Sequence, residues 1–381
     1  MHSLETFAAA KLAELEAQNL RRWLVETDRT EDAIAIRNGR RLISFCCNDY
    51  LNLSQHPEVK DAAIAATRRL GAGAGASRLV SGNHSLYREL ETALARLKGT
   101  EDACVFGSGY LANLGIIPAL AGAGDLVLAD ALSHACLMAG GKLSGAETLI
   151  FRHNDVAHLS ELLRTRRKQY RHCLILTDGV FSMDGDLAPV SALAQAAREY
   201  DAWLMTDDAH GIGVLAEGRG SSFANDVKAD VPLQMGTLSK AVGAYGGYLC
   251  ASRAVIDLIR TRARTLIYST GLPPAIVAAA IASLDIISRD AQLRAAPLHK
   301  ARRFTRAMNL PLAQSPIVPL IIGDPARALA LSAMLEDAGF LVTAIRPPTV
   351  PEGTARLRFT FTAAHQDADI DRLSALLREA V

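Results

Sequence analysis

Charge of either sign is barely in excess, since 41 lysines and arginines stand against 40 aspartates and glutamates. Nucleic-acid binders usually carry a basic surplus or patch, so that class of partner is not expected. The six cysteines (Cys46, Cys47, Cys104, Cys136, Cys173 and Cys250) include no C-x-x-C pair. Neither a zinc knuckle nor a disulfide framework is therefore expected, and reduced thiols account for the six most simply. No run of about 20 uninterrupted apolar residues offers a membrane span. The charged N-terminal stretch "MHSLETFAAAKLAELEAQNLRRWLVE" lacks the apolar h-region of a signal peptide. H-E-x-x-H is missing, as are internal repeats and low-complexity linkers, and no metal is expected. The expectation from these absences is a soluble, cytoplasmic globular protein.

What is there fits two lobes, because 381 residues exceed the usual single core. Residues 5–26 carry leucines near helical spacing and predict a helix. A second helix is predicted over "PEVKDAAIAATRRL", with Pro57 in its first turn, and a third over "SLYRELETALARLKG", closed by Gly99. Short apolar runs then alternate with helices: "DLVLAD", "CLILTDG" and "WLMTDD". That alternation predicts an α/β fold with a mostly parallel sheet covered on both faces. Ligands in such sheets sit beyond the carboxyl ends of the strands, where Asp130, Asp178 and Asp207 fall. One long helical stretch after Pro273-Pro274 leads into a smaller α+β C-terminal lobe. The expected divisions are an N-terminal arm at 1–45, a large domain at 46–275 and the C-terminal domain at 276–381.

Four stretches carry chemistry. Gly71, Gly73 and Ala76 satisfy a dinucleotide fingerprint, but a helix former precedes them where a strand is required, so a nicotinamide site is not expected. In "VFGSGYLANLGIIPAL" a strand runs through Gly107-Ser108-Gly109 into a helix, either an ordinary turn or a phosphate-binding helix start. In "MGTLSKAVGAYGGYLC" Lys240 has small, weakly polar neighbours, and desolvation there would lower its pKa as a Schiff-base lysine needs. "WLMTDDAHGIG" sets Asp207, Asp208 and His210 at the end of an apolar strand, where they could be a helix cap, a metal pair or the partner of a cationic ring. Phosphate site, amine and acid together suit pyridoxal 5'-phosphate, whose ring nitrogen is kept protonated by an acid.

With these pieces in order, the chain resembles the α-oxoamine synthases, fold-type I pyridoxal-phosphate transferases. The likeness rests on "NDYLNLS", "GASRLVSGN", "FGSGYLAN", "SHA", "DGVFSMDGD", "DDAHGIGV", "GTLSKAVGAYGG", "IYSTGLPP" and "RPPTVPEGTARLR". It implies condensation of an amino acid with an acyl thioester and loss of CO2. The segment "AIRPPTVPEGTARLR" most resembles the biotin-pathway members, which use L-alanine and a pimeloyl thioester on CoA or acyl carrier protein. A glycine-using member is the alternative. By position, the resemblance implies that Lys240 holds the cofactor and moves the Cα proton, Asp207 pairs with the ring nitrogen, and His210 bonds the ring's phenolic oxygen. It implies that His134 stacks on the ring and that Ser182 touches it. Gly109, Tyr110 and Thr237 lie at the phosphate, with Thr270 serving the partner's cofactor in a homodimer. Asn48 lies near the reacting centre, Arg358 clamps the amino-acid carboxylate, and Arg21 and Thr349 line the acyl side. Tyr110 stands where Phe is common, "CCNDYL" replaces "SSNDYL", and Tyr87 stands where relatives often have His. Asp208 has no implied role and reads as structural.

Overall fold

The computed structural model describes residues 2–18, 20–30, 32–225 and 227–381. A seven-stranded sheet runs in the order Asp102–Phe106, Gly247–Ala251, Leu233–Thr237, Trp203–Asp207, Cys173–Asp178, Leu126–Asp130 and Glu147–Phe151. All its pairings are parallel except those of Gly247–Ala251, which is antiparallel to both neighbours. The period of two along each strand explains why both faces are apolar. Val127, Ala129, Leu174, Leu176 and Met205 point to the face covered by helices Gly109–Leu120 and Arg253–Arg262. Leu126, Leu128, Ile175 and Leu204 point to the other, beneath Val156–Arg166 and Val190–Glu199. Register then makes Asp178 and Asp207 direct neighbours at one rung of the sheet.

The C-terminal region builds a three-stranded antiparallel sheet from Ile317–Gly323, Ala355–Thr360 and Thr343–Ile345. Helices Ala291–Ala307, Pro325–Asp337 and Asp367–Ala380 join it in one core around Phe304, Leu335, Leu357, Phe359, Phe361 and Leu373. The sequence "ARLRFTF" alternates, so Leu357 and Phe359 enter that core while Arg356 and Arg358 lie on the opposite face, toward the large sheet. A further four-stranded sheet joins Asp28–Arg29, Ile34–Arg37 and Arg40–Ser44 to Phe340–Leu341. Among the described residues, no helix is long and apolar enough to cross a membrane.

Three elements differ from expectation. The N-terminal helix spans Ser3–Ala17 rather than 5–26, and residues 20–26 are not helical; residue 19 lies outside the described residues. None of the helix's residues is buried, and Leu24 is fully exposed. The leucine stripe thus finds no packing in this chain, and short helices depend on packing. The long stretch after Pro273 is two helices, Pro274–Arg289 and Ala291–Ala307, divided at Asp290, whose carboxylate caps the second by accepting from Leu293 N at 2.8 Å. The first of them packs against Pro57–Leu70 in the core of the large lobe. The apolar run "FLVTAI", whose pattern predicts a single strand, is split, its halves serving two different sheets.

Asp208 is part of the scaffold. Its carboxylate lies 2.6 Å from Lys98 Nζ with both side chains fully buried, and it accepts from Ser221 N. Lys98 also donates to the Arg219 carbonyl at 2.6 Å. A Cβ at Gly211 or Gly220 would collide with the Asp208 oxygens, so the glycines flank the ion pair because no side chain fits there. Removing one partner of such a pair strands a buried charge. Lys98→Met should therefore destabilise the fold by about 3–5 kcal/mol, read as a lower urea midpoint. An unchanged midpoint would show that the pair does not hold the loop that follows Trp203–Asp207.

Candidate active site

Asp207 ends its strand with both oxygens engaged. Oδ2 accepts from Asn113 Nδ2 at 2.8 Å and Oδ1 accepts from Ala209 N at 3.1 Å. Beside it, Asp178 is pushed well above the usual carboxylate range by burial and by the Asp207 charge, while it accepts from His134 N at 2.8 Å. His134 caps helix Ala135–Ser144, and its Nδ1 meets Cys136 N at 3.3 Å and Cys136 Sγ at 2.7 Å. The Cys136 backbone N–H can only donate, so Nδ1 is the accepting nitrogen and the proton sits on Nε2. Burial lowers the His134 pKa, opposed by Asp207 and aided by Lys240, and the ring is neutral.

Lys240 stands in the tight turn between Leu233–Thr237 and Gly247–Ala251, where Leu238 N donates to Gly246 O at 2.9 Å. Its Nζ lies 2.8 Å from His210 Nε2, and His210 Nδ1 lies 2.6 Å from the Tyr50 hydroxyl. Burial lowers the Lys240 pKa against the pull of Asp207 and Asp178. Burial, Lys240 and Arg358 hold His210 well below the ordinary histidine value, and burial raises the Tyr50 hydroxyl. The result is a chain of three groups running from a phenol that keeps its proton, through a neutral imidazole, to an amine tuned for nucleophilic and basic work.

From the C-terminal lobe Arg358 reaches into the same hollow. Its Nε donates to the Ser182 carbonyl at 2.5 Å, and both Nη groups donate to Asn48 Oδ1 at 3.3 Å. Arg356, one pleat earlier, pairs with Asp184 at 2.5 Å. On the other side, helix Gly109–Leu120 begins with Ser108 as its cap, whose Oγ accepts from Leu111 N. The preceding N–H groups at the helix start have no intrahelical acceptor and favour an anion. A Cβ at Gly247 would collide with the Ser108 carbonyl, so glycine lets strand and helix start close together. Thr237 Oγ1, which donates to Gly246 O at 2.7 Å, closes the cradle near Gly109. Helix start, amine, acid and neutral imidazole suit pyridoxal phosphate in donor set.

The structure thus brings Asn48, His134, Ser182, Asp207, His210, Lys240 and Arg358 into one cluster through hydrogen bonds and neighbouring charges, with Thr237 against Gly109 at the helix start and Tyr110 half-exposed beside it. It does not bring Arg21 to Thr349: Arg21 pairs with Glu16 at 2.7 Å and stacks on Trp23, while Arg22 Nη2 reaches Thr349 Oγ1 at 3.3 Å. Thr270 is exposed and bridges to Ser77, away from this chain's hollow. Tyr87 is buried, accepts from Leu272 N at 2.5 Å and stacks under Arg78, which makes it a packing residue. Sequence reasoning missed Asn113 and Cys136 and gave no role to Tyr50 or Asp178. Tyr50, Asp178 and Asn113 all stood inside quoted motifs without being given a role, whereas Cys136 lies just beyond "SHA".

A parallel sheet with paired carboxylates at one rung, an anion-binding helix start and an amine in the next turn define a fold-type I pyridoxal-phosphate enzyme. The family described as Aminotransferase class I and II matches residues 40–377. The chain belongs to that family. It is 65% identical over 347 residues to the 8-amino-7-oxononanoate synthase of Methylocella silvestris, covering 91% of this chain and 99% of the relative. To the 8-amino-7-oxononanoate synthase of Maricaulis maris it is 60% identical over 376 residues, 99% of this chain and 96% of the relative. Among solved structures, a serine palmitoyltransferase variant from S. paucimobilis with bound PLP-myriocin aldimine superposes with a TM-score of 0.93 at 30% identity, over 100% of this chain and 98% of that one.

The turn carrying Ser182 is fixed from outside the hollow. His153 Nδ1 lies 2.9 Å from Asp130 and its Nε2 2.8 Å from Asp186, with the ring edge-on to Phe181. Burial alone would lower its pKa, but the two carboxylates raise it to about 10. The unfolded ring titrates near its ordinary value of about 6.5, so the stabilisation is complete below that pH and fades as pH rises toward 10. We expect wild-type protein to lose on the order of 2 kcal/mol across that window, discounted for a partly exposed ring. In urea titrations at pH 6 and pH 9.5, His153→Gln should show a flatter pH dependence. Parallel profiles for the two proteins would remove the clamp from consideration.

Proposed function

We propose that this chain condenses L-alanine with a pimeloyl thioester, on CoA or acyl carrier protein, to give 8-amino-7-oxononanoate, CO2 and the free thiol carrier, a step of biotin synthesis. What supports the reading is that the Asp207 carboxylate and the Arg358 guanidinium both lie close enough to Lys240 to act on its charge, together with the full-length similarity to synthases of that name. Pyridoxal phosphate, the cofactor, supplies an electron sink that stabilises negative charge at an amino-acid Cα.

The chain's own residues do the rest. Gly109, Tyr110 and Thr237 would hold the phosphate at the helix start, Asp207 would pair with the ring nitrogen, and His134 would cover the ring. Arg358, steadied by Asn48 and the Ser182 carbonyl, orients the alanine carboxylate by charge-assisted bonds. That orientation would turn the Cα–H toward Lys240, whose pKa burial lowers in the direction that favours a neutral, proton-accepting Nζ. His210 and Tyr50 hold that amine in line and can share its proton. Thr349, with Arg22 Nη2 at 3.3 Å from its hydroxyl, would line the acyl side, and Arg21 would join it only on leaving Glu16. Two copies form the working unit, each Thr270 serving its partner's cofactor, and the six unpaired cysteines fit the cytoplasm.

Turnover with alanine and pimeloyl-CoA or pimeloyl-acyl carrier protein should exceed that with glycine, serine or shorter thioesters; equal rates with glycine would point to the other branch of the family. Lys240→Ala should abolish the visible absorption of cofactor-loaded protein and slow exchange of the alanine Cα proton into D2O by about 10²–10⁴-fold. Asp207→Asn should also slow this exchange, and an unaltered rate would take Asp207 out of its role.

A further inference from the structure

Asn113 has no role in the function as proposed so far, yet its side chain is fully buried and lies directly behind the ring-facing acid. Nδ2 has two hydrogens, and both have acceptors: Asp207 Oδ2 at 2.8 Å and Cys136 Sγ at 3.0 Å. The amide cannot turn over, because that would set Oδ1 against the carboxylate; Oδ1 itself is buried and makes no hydrogen bond among the described residues. Cys136 in turn meets His134 Nδ1 through both its backbone N–H and its thiol. Burial pushes that thiol up to about 12, so the sulfur is S–H and can accept from Asn113 while donating to His134.

Resting on the pyridoxal-phosphate reading, we propose that Asn113, with its amide plane fixed by Cys136, is a positioning residue that aims Asp207 at the cofactor's ring nitrogen and favours the charged pair over a neutral one. Donation of an N–H to Oδ2 stabilises the carboxylate form and not the carboxylic acid. It therefore favours the state in which the proton sits on the ring. The two N–H donors, from Asn113 and Ala209, also fix the carboxylate plane and leave the remaining lone pairs for one partner. Through Cys136 the same amide is linked to the imidazole over the ring face, so the two groups that flank the cofactor share one scaffold.

The test compares two cofactors that differ only at the atom in question. Apo-protein is titrated with pyridoxal phosphate and with its 1-deaza analogue, whose ring carries C–H in place of nitrogen, and each affinity is read from protein fluorescence. Asn113→Ala should weaken pyridoxal phosphate by about tenfold or more and leave the deaza analogue within about twofold, collapsing the preference between them. Cys136→Ala should move the preference in the same direction by a smaller factor, and Cys136→Ser, which keeps an acceptor at that place, should restore it. If Asn113→Ala does not fold, the Cys136 pair decides alone. Equal losses for both cofactors, or an unchanged preference in the Ala variants, would overturn the assignment, since a merely structural role cannot distinguish the two rings. Wild-type protein that binds neither compound would instead overturn the cofactor reading itself.

Discussion

Two carboxylates at one rung of an apolar sheet, Asp178 and Asp207, set the terms for everything around them. Two negative charges on adjacent strands, with apolar side chains on both faces, are unfavourable together. The protein resolves this asymmetrically. Asp207 receives the Asn113 and Ala209 N–H donors, whereas Asp178 is driven to hold its proton by burial and by its neighbour's charge. Asp207 thus has both oxygens hydrogen-bonded by N–H donors in a dry setting, an arrangement that suits a cationic partner. The same desolvation that raises Asp178 lowers Lys240, so acid and amine are tuned in opposite directions by one environment.

The adjacent Asp208 shows the same physics turned to structure. It faces the other way, meets Lys98 inside the core, and is packed so closely by Gly211 and Gly220 that no exchangeable ligand could replace the lysine. Side chains alternate along an extended chain, which is why neighbouring residues of one type can serve a site and a scaffold. The loop beyond Asp208 then returns His210 to the hollow, where Tyr50 and Lys240 receive it. A pair that looks redundant in the sequence is thus divided between chemistry and support.

The sheet was legible because its strands are short apolar runs ending in Asp, and the helices because Pro57 and Gly99 punctuate them. The arm was read too long: its leucine spacing satisfies the helical period and a helix forms over Ser3–Ala17, but residues 20–26 leave it and Leu24 is fully exposed. Asp290 was overlooked for a related reason, since its carboxylate caps the following helix within an apparently continuous apolar pattern. Within the hollow, motif residues could be assigned through resemblance. Asn113 stood in the quoted "FGSGYLAN" and Cys136 just past "SHA", yet neither received a role, because a buried hydrogen-bond scaffold leaves no periodicity and no composition signal, only geometry.

The geometry also shows why the site needs the whole chain. Lys240 and Asp207 belong to the large sheet, Asn48 and Tyr50 to the segment before it, and Arg358 to a strand more than a hundred residues later. That strand reaches the hollow only because its alternate residues, Leu357 and Phe359, are anchored in the C-terminal core. Arg356 adds a second tie to Asp184 beside the Ser182 turn, and His153 secures that turn to the sheet through Asp130 and Asp186. The Arg358 guanidinium is therefore located by an apolar face on one side and by ion pairs on the other. A loosened C-terminal core would misplace Arg358 before it disturbed Lys240 or Asp207, which makes substrate orientation the part of the chemistry most exposed to distant changes.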